Sequence, residues 1–254
     1  MSKYQNILIT GASSGIGRAL AIHYASFGAA NLFLCGRDSE RLKEAAEKCQ
    51  ELGSAVYPQV LDVTDTSAVE KWITECNQIA PLHLVFANAG VSTVNETPDN
   101  IRHTFATNIN GVVNTVLPAV ELFKNAPKAQ PKHLVITSSI AGYHGLPACP
   151  SYSASKAFLK AWGEALRIDL QKRYAIKVST IAPGFVRSRI TDKNTCPMPF
   201  LMDAAEAAAI IAENVEKNTG LIAFPWQMRF CAWAASILPS RISEILYRFL
   251  PYKV

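Results

Sequence analysis

Short, continuous apolar runs alternate with helical patterns along nearly the whole chain, and few architectures accept that alternation. Asn6–Thr10, Asn31–Cys35, Ala55–Val60, Leu82–Ala87, His133–Thr137 and Lys177–Ile181 read as strands. The segments between them read as helices, as in Ser39–Leu52 with its stripe of Leu42, Ala45, Ala46 and Cys49. Strands apolar on both faces and joined by helical crossovers imply a parallel sheet covered on both sides: an α/β, doubly wound, Rossmann-type fold. No repeat, low-complexity tract or linker divides the 254 residues, so residues 1–220 are expected to form one domain, with residues 221–254 as an apolar and basic extension.

The bulk properties narrow the partners. A net charge of +5 is spread along the chain without a basic block, which suits an anionic ligand and argues against nucleic acid. The six cysteines and five histidines form no metal-ligand spacing and no Cys-x-x-Cys pair, so no metal is expected and the thiols read as reduced and mostly buried. The amino terminus carries no stretch resembling a signal peptide or a membrane span, and the expected location is the cytoplasm.

The first strand runs into Thr10-Gly-Ala-Ser-Ser-Gly-Ile-Gly17 and then a helix. Gly11, Gly15 and Gly17 permit a tight turn and a close backbone approach, and the free N–H groups of the helix start suit a pyrophosphate, with Ser13, Ser14 and Ile16 beside it. The spacing is Gly-x-x-x-Gly-x-Gly, a variant of the general dinucleotide fingerprint. After the second strand the place of an acidic ribose ligand holds Cys35 or Gly36, and Arg37 follows. An arginine there can pair bidentately with a 2′-phosphate, with Ser13 or Ser14 adding a hydroxyl, so the expected cofactor is NADP(H). Asp62-Val63 ends the third strand, where the carboxylate either accepts from an adenine amino group or signals the start of the next helix. Asn88, Ala89 and Gly90 place small residues after the fourth strand. Asn108 is polar within an apolar helical pattern, and either makes a buried hydrogen bond or bends the helix around a water.

The chemistry concentrates between residues 139 and 156. Tyr152 and Lys156 stand four apart and project from one helix face, with Ser151 expected at the N-cap. A free tyrosine has a pKa of about 10, and an ammonium ~4 Å away interacts by roughly 4 kcal/mol at a dielectric of about 20, which would lower it. Ser139, at the end of the fifth strand, can hydrogen-bond the same substrate oxygen. Serine with Tyr-x-x-x-Lys is an acid/base device for a carbonyl or an alcohol.

Taken together, Thr10-Gly-x-x-x-Gly-x-Gly17, Asp62-Val63, Asn88-Ala-Gly90, Asn108, Ser139, Tyr152-x-x-x-Lys156 and Pro183-Gly184 resemble the short-chain dehydrogenase/reductase family in its single-domain form. The resemblance implies Tyr152 as general acid/base, Ser139 as the group orienting the substrate oxygen, Lys156 as ribose ligand and tuner of the tyrosine, and Asn108 as holder of a relay water. It implies that Pro183, Gly184, Val186 and Ser188 close over the nicotinamide, and that a basic residue at Arg37 marks NADP preference. Ala87 replaces a frequent asparagine, and Ser188 stands where a threonine is usual but keeps the hydroxyl. The activity implied is hydride transfer between NADP(H) and a carbonyl or alcohol; a 3-oxoacyl thioester reductase and a non-catalytic NADP-binding sensor or scaffold are the alternatives. Residues at about 188–203 fall where the family keeps its substrate lid, and their apolar content points to a lipophilic substrate, with Tyr143, His144 and Leu146 sharing the pocket. The helix after Tyr152 is apolar beyond one stripe, with Phe158 and Trp162 on it, and the family pairs this helix with its copy in a homodimer or homotetramer. In the extension, Pro239 divides two helical patterns, Phe230/Trp233/Ile237 and Ile242/Ile245/Leu246/Phe249. The extension either packs over the substrate mouth or a subunit interface, or forms a basic amphipathic foot for peripheral contact with an anionic membrane.

Overall fold

The computed structural model describes residues 2–93, 95–192, 194, 197–239 and 241–242. Seven parallel strands form one sheet in the order β3-β2-β1-β4-β5-β6-β7. They are β1 Asn6–Thr10, β2 Asn31–Gly36, β3 Ala55–Val60, β4 Leu84–Ala87, β5 His133–Thr137, β6 Lys177–Pro183 and β7 Leu221–Phe224. The connecting helices are α1 Gly15–Ser26, α2 Ser39–Glu51, α3 Thr66–Ile79, α4 Pro98–Phe105, α5 Gly111–Asn125, α6 Pro150–Tyr174 and α7 Ala204–Glu216, and α8 Trp226–Ile237 follows β7.

The continuous apolar runs are explained by alternation with two buried faces. Ile7 and Ile9 of β1, Leu32 and Leu34 of β2, and Leu84 and Phe86 of β4 join the core with α1, α2 and α7. Their neighbours Leu8, Phe33, Cys35, Val85 and Ala87 join the opposite core with α3, α5 and α6. Successive side chains point to opposite faces, so both parities must be apolar. The edge strand β3 is the exception, with much of its surface exposed. Pro58 has no N–H to give, and the edge position leaves that loss harmless because β3 pairs with β2 alone.

Leu221–Phe224, grouped with the extension in the sequence reading, is instead a strand of the sheet, pairing in parallel with β6. Four residues carry too little pattern to read as a strand without that neighbour. What extends beyond the sheet therefore begins at Pro225. Of the second helical pattern in the extension, all but Ile242 lies outside the described residues.

The chain leaves β1 to one side for β2 and β3, and to the other for β4 to β7. The order of strands reverses between β1 and β4, and a crevice opens there at their carboxyl ends.

Candidate active site

Thr10, the last residue of β1, fastens the floor of this crevice. Its hydroxyl donates to the Phe86 carbonyl at 3.2 Å and accepts from the N–H groups of Asn88 at 3.0 Å and Ala89 at 3.1 Å. The Asn88 amide returns a bond to the Thr10 carbonyl at 3.0 Å. The glycine turn is drawn down onto this joint. Gly11 has a φ of +71°, and a Cβ on it would lie 2.9 Å from the Ala89 Cα. A Cβ on Gly17 would lie 2.3 Å from the Gly11 carbonyl oxygen, so any larger residue would lift α1 off the turn. Ser14, the N-cap residue of α1, makes no side-chain capping bond. Its hydroxyl and the first N–H groups of α1 are left to an anion.

At the far end of the crevice, Arg37 and Asp62 approach each other at 3.8 Å. Asp38 is occupied elsewhere: it caps α2 by accepting from the Arg41 N–H at 3.0 Å, and its carboxylate pairs with the Arg41 guanidinium at 2.6 Å. Burial pushes the Asp62 carboxyl up, but bonds from the Thr64 N–H and hydroxyl, both at 2.9 Å, and the nearby Arg37 bring it below its ordinary value. Asp62 is thus fixed as an ionised carboxylate in the turn before α3. Both sequence readings of it, ligand acceptor and turn signal, remain compatible with this placement, and the turn bonds are the ones formed.

The acid/base cluster is built where β5, α6 and the π-helical turn Ala106–Asn110 meet. Ser138 donates to the Lys156 carbonyl at 2.6 Å, tying β5 to α6. Ser139 opens a short 3-10 turn, Ile140–Gly142, accepting from the Ala141 N–H at 3.1 Å. Gly142 lets that turn press on α6, since a Cβ there would lie 2.6 Å from the Lys156 carbonyl. Helix α6 starts at Pro150 with Cys149 as N-cap, not at Ser151. Proline suits the first helical position, and it moves the start two residues back. Ser151 is held instead by Glu96, whose carboxylate accepts from its N–H at 3.1 Å and its hydroxyl at 2.8 Å.

Tyr152 and Lys156 lie one turn apart, with the ammonium 5.7 Å from the tyrosine ring centroid and donating to the Thr137 carbonyl at 2.9 Å. The expected lowering of the Tyr152 pKa by this ammonium is overturned here. Burial pushes the phenol up to about 12, only partly offset by its hydrogen bond with Ser139. The same burial draws Lys156 down to about 8. Removal from water penalises each charged form, and this outweighs the mutual effect. At neutral pH the phenol is consequently a proton donor in waiting.

Asn108 sits in the π-helical turn and is fully buried. It makes the buried hydrogen bonds and also marks the bend. Its Oδ1 accepts from the Val91 N–H at 2.8 Å, and its Nδ2 donates to the Val91 carbonyl and the Ser155 hydroxyl, both at 3.0 Å. Ser155 in turn donates to the Tyr152 carbonyl at 2.7 Å. One asparagine therefore braces the loop after β4 against the helix that carries the tyrosine. A Cβ on Gly90 would stand 3.3 Å from Asn108 Oδ1 and 3.4 Å from Lys156 Nζ, so the loop passes close to both groups.

A single cavity of about 1250 Å³ joins the glycine turn, Arg37 and the tyrosine. Every site residue expected from the sequence lines it except Gly17 and Asn108, which are buried, and Asp62, whose carboxylate is taken up by Thr64. Gly184 and Ser188 lie on its roof: a Cβ on Gly15 would meet the Ser188 Cβ at 2.9 Å. The extension was expected to pack over the substrate mouth or a subunit interface, or to contact a membrane, and α8 does line the cavity; Arg41 and the particular residues of α8 are among the lining residues that were not foreseen. Arg41 lines the cavity beside Arg37, and its place four residues on, in the first turn of α2, was the available signal. Gln227, Met228, Cys231, Ala232 and Ala235 of α8 line the substrate side, on the face opposite the aromatic residues that the sequence pattern emphasised.

A doubly wound sheet, an anion-binding glycine turn at its switch point and a buried serine–tyrosine–lysine cluster define a nicotinamide-dependent oxidoreductase acting between a CH–OH group and a carbonyl. The family model of short chain dehydrogenase matches residues 5–197, and the chain belongs to that family. An uncharacterized oxidoreductase of Myxococcus xanthus is 36% identical, over 97% of this chain and 98% of its own length. Among solved structures, a short chain dehydrogenase/reductase from Burkholderia phymatum in complex with NAD is similar with a TM-score of 0.82 and 23% identity, over 97% of each chain. A short-chain dehydrogenase from Sphingobium yanoikuyae in complex with NADPH has a TM-score of 0.77 and 24% identity, over 96% of each chain.

Proposed function

We propose that this protein is an NADPH-dependent carbonyl reductase, or in reverse an alcohol dehydrogenase, for a lipophilic substrate. The observation that carries the reading is one continuous cavity, with the protonated Tyr152 at its centre and Arg37 and Arg41 at its cofactor end. The residues fit the cofactor: Gly11, Ser13, Ser14, Gly15 and Ile16 line the cavity, and the start of α1 that they form has no side-chain cap of its own, which suits a pyrophosphate. Gly11 to Gly17 would hold the pyrophosphate, Arg37 and Arg41 the 2′-phosphate, Val63 the adenine wall, and Asn88 to Gly90 with Lys156 the nicotinamide ribose. Pro183, Gly184, Val186 and Ser188 would cover the nicotinamide. When bound, the reduced cofactor supplies a hydride to the carbonyl carbon.

The chain's own groups manage the proton. The Tyr152 hydroxyl gives its proton to the carbonyl oxygen, and the Ser139 hydroxyl hydrogen-bonds the same oxygen as charge develops on it. The Lys156 ammonium, held by the Thr137 carbonyl, stabilises the tyrosinate left behind. Asn108 is a positioning residue, acting through Ser155 and the loop at Val91. The far side of the cavity, walled by Tyr143, Leu146, Phe185, Ile190, Phe200 and Met228, supports an apolar substrate. The NAD and NADPH complexes of the two similar structures do not choose a cofactor; the two arginines favour NADPH. Phe158, 39% exposed, and Trp162, stacked with centroids 5.8 Å apart on α6, support a homo-oligomer built on that face.

The test is Tyr152→Phe. NADPH binding should change little while turnover falls by orders of magnitude, because the donated proton is lost and the cavity is kept. Substantial turnover in that variant removes Tyr152 from its role.

A further inference from the structure

Helix α8 has two faces, and the cavity uses only one of them. Met228, Cys231, Ala232 and Ala235 turn inward, and Met228 lies so close to Gly184 that a Cβ there would sit 2.7 Å from its sulfur. The opposite face carries Trp226, Phe230, Trp233 and Ile237 at helical spacing. These four are 72%, 59%, 50% and 62% exposed, on a helix with no buried residue. Such a row of large apolar side chains in water needs an occupant.

We propose that this face seats the protein on an anionic phospholipid surface. Charge decides the occupant. No acidic residue occurs from Lys217 to Ser243, while Arg229 and Arg241 flank the row. A second copy pairing through the same face would bring both pairs of arginines together with no carboxylate on the helix to receive them. Anionic headgroups answer the arginines, and indole rings settle at the boundary between headgroups and acyl chains. The sequence continues in the same character: residues 243–254 include Leu246, Tyr247, Phe249, Leu250 and Tyr252 with Arg248 and Lys253 against Glu244. Among the described residues no helix is long and apolar enough to cross a membrane, so α8 lies on the surface. The cavity wall on its inner face then places the substrate side next to the lipid.

The experiment is cosedimentation of the full chain with vesicles of phosphatidylcholine, alone and mixed with phosphatidylglycerol, alongside light scattering without lipid. The double variant Trp226→Ser/Trp233→Ser touches neither the cavity nor the acid/base cluster, so a circular-dichroism spectrum matching the wild type reports that it is folded. The wild type should bind the mixed vesicles, weaken at high salt, and lose at least about tenfold in partitioning in the double variant, which sheds two large apolar contacts. A wild type that remains in the supernatant with both lipids overturns the proposal. So does a double variant that binds as well as the wild type, or one that turns an oligomer into a monomer while lipid binding is nil. Cosedimentation does not depend on turnover, so failure of the catalytic reading would leave this outcome standing.

Discussion

Replacing Arg37 with alanine tests how the cofactor is chosen. Among the described residues its guanidinium forms one ion pair, with Asp62 at 3.8 Å, and the two side chains are 52% and 44% exposed. A pair that open to solvent is worth at most about 1 kcal/mol, so it competes weakly for the guanidinium. A hydrogen bond to a charged group contributes ~1.5–3 kcal/mol, and solvent exposure argues for the lower part of that range. The net loss on removing Arg37 is then roughly 1.4 kcal/mol, or about tenfold in NADPH affinity.

Arg41 is the second guanidinium at this end, held at 2.6 Å by the Asp38 carboxylate and so less free to turn to a phosphate. Arg41→Ala should cost less than Arg37→Ala, and the double variant should approach the sum of the two. The assay is kcat/KM with NADPH and with NADH for wild type and all three variants. NADH, which lacks the 2′-phosphate, should change by less than about threefold, since no charge-assisted bond is lost. Equal losses with the two cofactors would refute the reasoning, and would mean that Arg37 supports the turn at Asp62.

Burial places Lys156 at about 8, so its charge is present below that pH and lost as pH rises through it; the kcat/KM of reduction should hold level and then fall above about pH 8, and a profile with no such break refutes the role. His133 is buried between the Tyr4 hydroxyl at 2.7 Å and the Ser179 hydroxyl at 2.9 Å, and burial pulls it down to about 3. Its folded pKa is below its unfolded value of about 6.5, so the stability it confers is full above that value and is lost at roughly 1.4 kcal/mol per pH unit on descending towards about 3. Denaturant midpoints of wild type and His133→Gln across that window should converge at low pH; parallel curves would contradict this. Trp162→Glu should shift an oligomer towards monomer in light scattering, and a wild type already monomeric at micromolar concentration would contradict the interface.

The glycine turn and its joint with the end of β4 were legible because sterics and hydrogen bonding impose particular residue types there. Gly17 must be bare because the Gly11 carbonyl lies where its Cβ would be, and Thr10 must carry a hydroxyl because two N–H groups from β4's end converge on it. Such demands leave a mark in the sequence that needs no neighbours to be read. The electrostatics were less legible: spacing put Lys156 beside Tyr152, but only burial, a property of the whole fold, reveals that desolvation outweighs the ammonium. Ser151 was misplaced for a related reason, since Glu96, far away in sequence, takes the place of a local cap.

The substrate half follows a different logic. Its wall on α8 is made of Met228, Ala232 and Ala235, residues with no chemistry to announce them, and the visible pattern of that helix belongs to its outer face. A stripe of aromatic side chains normally points a helix inward, because burial of apolar area is what holds helices to a sheet. Here the small residues point in and the large ones out. On the reading proposed above, the small side chains leave volume for a ligand and the large ones meet a lipid surface. The proposed apolar substrate follows from the same reading. Substrates of rising chain length should therefore gain in kcat/KM through KM until the cavity is filled, by up to about 0.8 kcal/mol, near fourfold, per buried methylene. A series of ketones with one added methylene at a time measures that slope, and a flat series would return the cavity wall to a purely structural role.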